Sequence, residues 1–226
     1  MIEITTWIDI LKGCIYSLYI LCFIVALIRF KRYHKTPFRF FPVILLMETT
    51  KEILAKSIVN VFDYNAFLYN FTNTILFIYM LYLFYYYLNI SAFKRSVYIF
   101  ILVFGSGTVV NLFTENAIED PLTFSYFLGG VLLILSVILY YIQLLDDNKV
   151  ISVKHDLLLW LGTGQLLFYT GYIPIKLFRL SIVTESVNEA PILRIVHLIL
   201  IILMYVCFLI GLLWMRRRHN LLEYSY

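Results

Sequence analysis

A bundle of seven membrane-spanning α-helices is the fold class this sequence predicts, and three observations predict it. Of its 226 residues 62% are hydrophobic and 14% are charged, whereas a soluble domain carries about 25% charge. The apolar residues gather into runs of about 20, the length that carries a helix across the hydrocarbon core of a bilayer. Basic residues collect at alternate ends of those runs, which is the pattern left by membrane insertion. Disordered chains, nucleic-acid modules and disulfide scaffolds are excluded by the same composition.

The first run, 7–30, has Asp9 and Lys12 near its start and is uninterrupted from Cys14 to Arg29. Its acids come first and its basic cluster follows, the reverse of a cleavable signal, so it is expected to be retained. The second, 40–62, opens as an apolar segment and then takes on Glu48, Lys51, Glu52 and Lys56. The third, 67–88, ends in Tyr85, Tyr86 and Tyr87, where an aromatic belt is expected. The fourth, 97–113, follows Lys94 and Arg95, and the fifth, 122–145, contains Gly129 and Gly130. The sixth, 157–178, holds Pro174, which lacks an N–H and crowds the carbonyl of Thr170, so a kink is expected there. The seventh, 192–215, is the most uniformly apolar. Short connections make successive helices antiparallel neighbours. Trp7, Trp160 and Trp214 fall near helix ends, as interfacial anchors do. The glycines at 105 and 107, 129 and 130, and 162 and 164 read as sites of close helix approach.

Charge sets the orientation. One set of ends carries Arg29, Lys31, Arg32, Lys35, Arg39, Lys94, Arg95, Lys149, Lys154 and Arg216, Arg217 and Arg218. The opposite set carries Lys12, Lys176, Arg179 and Arg194 together with most of the acids. The first set is therefore cytoplasmic, which puts the N-terminus outside and the C-terminus inside. The second run tests this assignment. A charge at a helix centre costs about 2.5–3.5 kcal/mol on the insertion scale and a large aliphatic residue returns only about 0.3–0.6. If that run lay on the cytoplasmic face instead, every later loop would invert, placing Lys94 and Arg95 outside; the charge pattern favours the span.

Ionisable residues inside spans are candidate functional residues, because lipid gives them no other reason to persist. On a helical wheel Glu48, Lys51, Glu52, Lys56, Asn60 and Asp63 share one side of the second helix, with Ile53, Leu54, Ile58 and Val61 opposite. Glu52 precedes Lys56 by four residues, the better order for an intrahelical pair. The plain structural reading of Glu48, Lys51, Glu52 and Lys56 is a neutralised charge ladder that holds helices together. Polar stripes recur elsewhere: Asn70, Asn73 and Thr74 in the third helix, Thr108, Asn111 and Glu115 in the fourth, Arg194 and His197 in the seventh. The sixth has Gln165, Tyr169, Tyr172, Lys176 and Arg179. In the assigned orientation these lie in the outer half. They predict an outward-facing vestibule lined by Lys56, Asn60, Asn73, Asn111, Glu115, Tyr172, Lys176 and His197, with its floor at Lys51 and Glu52. Arg179 and Arg194 read as interfacial charge at helix ends, and most of the 19 tyrosines as the codon usage of an AT-rich genome.

The motifs of known polytopic families are missing or incomplete in this chain. The seventh helix has no lysine for a retinal Schiff base, no Asp-Arg-Tyr follows the third, and no Asn-Pro-x-x-Tyr or Pro-Gln occurs. Ser106-Gly107 follows Phe104 where a rhomboid-type protease has glycine, and His197 is the one histidine well inside a span. The spacing of Lys51, Glu52 and Lys56 is similar to the Glu-Glu-x-x-x-Arg of CAAX-type membrane proteases, without that family's histidines. In overall layout, and in 48–56 and 169–176, the chain resembles small seven-helix membrane proteins of AT-rich Gram-negative bacteria, and more loosely the multi-helix sensor regions of bacterial histidine kinases. That resemblance implies a multi-pass protein of the bacterial inner membrane and brings no activity with it; no kinase domain is expected after the last helix.

The expectation is a non-enzymatic receptor-like or accessory signalling protein, binding a small, anionic or zwitterionic ligand from outside and acting on a separate cytoplasmic or membrane partner through the Arg216 region. The alternative is a small transporter or ion-conducting protein, and the third reading a structural subunit of a membrane complex. No cofactor, metal or nucleic acid is expected; the three cysteines lie in apolar runs without a Cys-x-x-Cys pair.

Topology is directly testable. Reporters fused after Lys94 and after Arg218 are expected to read out in the cytoplasm, and one inserted within 114–121 outside. A cytoplasmic signal from 114–121 would mean that the second run does not cross.

Overall fold

The computed structural model describes residues 2–62, 65–146, 155–183 and 191–215, and every regular element among them is helical. In chain order they are α1 (Ile2–Arg29), two 3-10 turns (Phe30–Arg32 and Pro37–Phe40), α2 (Phe41–Phe62), α3 (Ala66–Tyr87), α4 (Ser91–Thr114), α5 (Thr123–Asp146), α6 (Leu157–Val183) and α7 (Pro191–Trp214). Three helices are longer than the hydropathy reading gave, and α1 is one of them, starting at Ile2. Helix α4 begins at Ser91, before the 97 expected, with the Lys94 ammonium 5.0 Å from the Tyr85 ring centroid; a lysine with such a partner continues the helix past the apolar run. Helix α6 runs to Val183, through Pro174, Lys176 and Arg179. Asp63, Lys149, Lys154, Arg216, Arg217 and Arg218 lie outside the described residues.

Five helices, α1, α3, α4, α5 and α7, are long and apolar enough to cross a membrane. Helices α2 and α6 carry the polar stripes, and their packing accounts for them. Glu48 and Lys51 of α2 are each 6% exposed, while Ile53 on the opposite side is 60% exposed. A soluble helix turns its charges to water and its aliphatic face inward; α2 does the reverse. Leu54, Val43 and Leu46 extend the same outward apolar face.

Helices α1, α2, α3, α5, α6 and α7 contact one another in that order and α7 returns to α1, so six helices close a ring. Helix α4 packs outside the ring against α3 and α5. The half of the ring at the ends of α1, α3, α5 and α7 is filled: Phe41, Leu81, Phe84, Leu133, Leu158 and Leu161 have almost no exposed surface. Phe84 meets Tyr140 edge-on with ring centroids 5.8 Å apart, and Trp160 meets Trp214 edge-on at 5.4 Å.

Polar side chains lock the connections at this filled end. Gln143 Oε1 accepts from the Asn89 and Ile90 amides at 2.6 and 3.2 Å, and its Nε2 donates to Tyr87 O at 3.3 Å. Asp156 precedes α6 and accepts the Leu158 amide at 2.9 Å and the Tyr140 hydroxyl, an N-terminal cap reinforced from another helix. The last carbonyls of α7 are met by cationic or polar donors: Arg32 Nη1 donates to Met215 O at 2.8 Å, and His155 Nδ1 to Trp214 O at 2.6 Å. In the connection after α1, the Tyr33 hydroxyl donates to Ala26 O at 2.5 Å, and burial raises this phenol above its ordinary pKa, so it stays a donor.

Glycine matters most where helix axes are closest. A Cβ on Gly164 would stand 2.8 Å from the Met204 carbonyl oxygen, a backbone atom that cannot step aside. Gly105, expected at a helix contact, instead has open space around its Cβ position, because that face of the peripheral α4 looks away from the ring. Gly164→Val should therefore overpack the α6–α7 seam and cost about 1–3 kcal/mol, whereas Gly105→Ala should be neutral or slightly stabilising. Thermal unfolding of the detergent-solubilised variants reads both; equal melting temperatures for the two would reject the seam as a point of tight contact.

Candidate functional site

The opposite half of the ring, where α1, α3, α5 and α7 begin, is hollow. The polar stripes meet there, but in two chambers. The larger is about 500 Å³ and the smaller about 180 Å³.

Helical spacing explains the walls of the large chamber. Lys12, Tyr16 and Tyr19 recur at i, i+4, i+7 on α1, and Arg194, His197 and Ile201 at i, i+3, i+7 on α7. Glu52 of α2, Tyr69 of α3 and Arg179 of α6 complete it. Among the described residues, three cationic side chains thus line a chamber with one carboxylate. Lys12 is partly engaged at the rim, 3.7 Å from Asp9, and the Tyr69 hydroxyl reaches toward Glu52 Oε1 at 3.5 Å.

The small chamber is mostly aromatic. Phe77, Phe104, Tyr126 and Tyr172 supply rings, Asn73 an amide, and Lys176 an ammonium. That ammonium lies 4.1 Å from the Tyr126 ring centroid, against the electron-rich face. Tyr172 is the hub of the hollow half. It stacks on Phe168 with centroids 5.2 Å apart and on His197 at 4.2 Å, and it meets Tyr126 edge-on at 5.8 Å. Since Tyr172 lines the small chamber and His197 the large one, their stack is part of the partition; Tyr69 faces both.

Beneath the chambers sits the ion pair of α2. Lys51 Nζ is 2.5 Å from Glu48 Oε2, and it lies 5.2 Å from the Tyr69 ring centroid. The other carboxylate oxygen, Glu48 Oε1, is buried without a hydrogen-bond partner.

The expected residues divide accordingly. Asn73, Tyr172 and Lys176 line the small chamber, and Glu52 and His197 the large one. Glu48 and Lys51 form the buried pair. The side chains of Lys56 and Asn60 lie outside the described residues, so the expected Glu52–Lys56 pair does too. Asn111 is a wall of neither chamber: it is buried, and its Oδ1 accepts from the Ser125 amide at 3.0 Å and the Ser125 hydroxyl at 2.8 Å, clamping the first turn of α5. Glu115 follows the end of α4 and, without lining a chamber, is within electrostatic reach of Lys176. Asn70 also serves structure. Its Nδ2 donates to Ala117 O and Asp120 O, and its Oδ1 accepts from the Leu122 amide, each at 2.9 Å, so one side chain holds the α4–α5 connection.

Sequence reasoning gave Lys12 no site role, read Arg179 and Arg194 as interfacial charge, and took the tyrosines at 16, 19, 69 and 126 as compositional. The i, i+4, i+7 stripe of Lys12, Tyr16 and Tyr19 was the available signal.

Breaking the buried pair has a clear expectation. Lys51→Met strands a buried carboxylate and should lower stability by about 3–5 kcal/mol, while adding Glu48→Leu should restore most of it. Urea or thermal unfolding in detergent measures this, and a stable single variant would show that the pair is hydrated rather than desolvated.

No family model, curated protein or solved structure matches the chain, so the two chambers themselves are what a function must be argued from.

Proposed function

We propose that this chain is a seven-span protein of the bacterial inner membrane, with its N-terminus outside, that acts as a receptor-like or accessory signalling component for a small anionic ligand. In this reading α2 and α6 cross the bilayer with their polar faces turned to the chambers, and the hollow half faces outward. A separate cytoplasmic or membrane partner receives the signal.

The observation that carries the reading is the large chamber: about 500 Å³ with Lys12, Arg179 and Arg194 facing Glu52. Cations around a cavity raise the local concentration of anions, and guanidinium groups match a carboxylate or phosphate with two parallel hydrogen bonds. The filled half of the ring lies below the chamber. A site closed on one side suits sensing. Tyr172 and His197 offer a route for the signal, because their stack joins α6 to α7 and Pro174 interrupts the α6 backbone pairing two residues from Tyr172.

The second reading, a small transporter, draws support from the Glu48–Lys51 pair with its unpartnered oxygen beneath the chambers, a group that could relay an ion. Two measurements separate the readings. Thermal stability of the purified protein should rise with acetate, phosphate or phenylacetate at constant ionic strength, and the Arg179→Gln/Arg194→Gln variant should lose that rise. Proteoliposomes on a sensor surface should give no current when the same anions are added; a sustained current would favour the transporter, and no stabilisation by any anion would reject the anion pocket.

A further inference from the structure

Resting on the anion-pocket reading, we propose that the two chambers take the two halves of one ligand: a carboxylate in the large chamber and an aromatic ring in the small one. The ligand class is thus an aryl-alkyl carboxylate, bound with its ring among Phe77, Phe104, Tyr126 and Tyr172.

Three features lead to this class. The first is adjacency. Tyr69 walls both chambers, and Tyr172 of one stacks on His197 of the other at 4.2 Å, so the two chambers adjoin across that ring stack. The second is size and lining. A dry apolar cavity of about 150 Å³ accepts a benzene ring, and the small chamber offers about 180 Å³ between aromatic faces and edges. Such a lining favours a ring through offset and edge-on contacts. The third is charge. Glu52 offsets one of the three cations of the large chamber, and Lys12 already has Asp9 beside it. Among the described residues this lining is basic and suits an anion such as a carboxylate.

The small chamber also sets what the ring can carry. Several of its polar groups are committed elsewhere: Asn70 to the α4–α5 connection, Ser125 to Asn111, and the Thr74 hydroxyl to Asn70 O at 2.8 Å. The Asn73 amide makes no hydrogen bond among the described residues and faces the chamber. It would accept or donate one bond to a ring hydroxyl. A hydroxyl left without such a partner is costly to bury, so Asn73 selects among ring substituents.

Isothermal titration of the full chain in detergent tests this with phenylacetate, 4-hydroxyphenylacetate, acetate, inorganic phosphate and phenethyl alcohol. Phenylacetate is expected to bind at least about tenfold tighter than acetate, phosphate or phenethyl alcohol, and 4-hydroxyphenylacetate tighter still. Asn73→Leu should abolish the advantage of the hydroxyl, so that this variant binds 4-hydroxyphenylacetate no tighter than phenylacetate. Asn73→Phe, which fills the chamber, should bring phenylacetate down to the level of acetate; Asn73→Leu carries the test if that variant does not fold. Acetate or phosphate binding as tightly as phenylacetate would overturn the two-chamber proposal and leave the anion pocket standing. Absence of binding by every anion would overturn both.

Discussion

A carboxylate and an ammonium 2.5 Å apart, each 6% exposed, can persist in the interior of a bundle only if the helix bearing them is turned toward its neighbours. Stripping water from each ion costs several kcal/mol, and their attraction repays that only with good geometry and surrounding polar groups. Facing lipid, the same pair would keep the cost and lose the surroundings. The Glu48–Lys51 pair therefore fixes the rotation of α2, and with it the outward position of Val43, Ile53 and Leu54. It also marks the boundary between the filled half of the ring and the hollow half. Glu52, one turn along, reaches the large chamber because Glu48 and Lys51 have set the face.

The two halves differ in how they satisfy polar groups. At the filled end the polar side chains are bound to backbone. Gln143 meets amides of the α3–α4 connection, Asp156 caps α6, and Arg32 and His155 close the end of α7. Each removes an orphan backbone group that would otherwise be buried without a partner. At the hollow end Asn70 and Asn111 do the same for the α4–α5 connection and the start of α5. What is left over there, after these structural duties, is concentrated on α1, α6 and α7 and in the tyrosines between them. Polar groups gathered around a cavity are what distinguish the hollow half from a packed core.

Aromatic side chains perform both tasks. In the filled half Phe84, Tyr140 and Phe41 occupy volume. In the hollow half Tyr172, Tyr126 and Tyr69 form partitions, with Lys176 held on the Tyr126 face. A tyrosine suits a partition because one edge packs against apolar neighbours while its hydroxyl reaches a polar space. The stack of Phe168, Tyr172 and His197 then connects that partition to α7, so that a change in either chamber is felt by two helices.

How much of this could be read beforehand differs between elements. Runs of apolar residues located all seven helices, because hydropathy and a 3.6-residue period are properties of short contiguous segments. The same period showed that Glu48, Lys51 and Glu52 share a face of α2, and that Tyr172, Lys176 and Arg179 share a face of α6. Asn111 and Asn70 could not be separated from chamber residues in this way, since an amide that clamps a turn 14 or 52 residues away has the same wheel position as one that faces a cavity. The tyrosines of α1 and α3 were hidden by a composition rich in tyrosine. Sequence alone determined which residues form helices and which face of each is polar. Tertiary structure decided which polar residue is spent on backbone and which is left to a chamber, because that depends on distances between helices that are far apart in the chain.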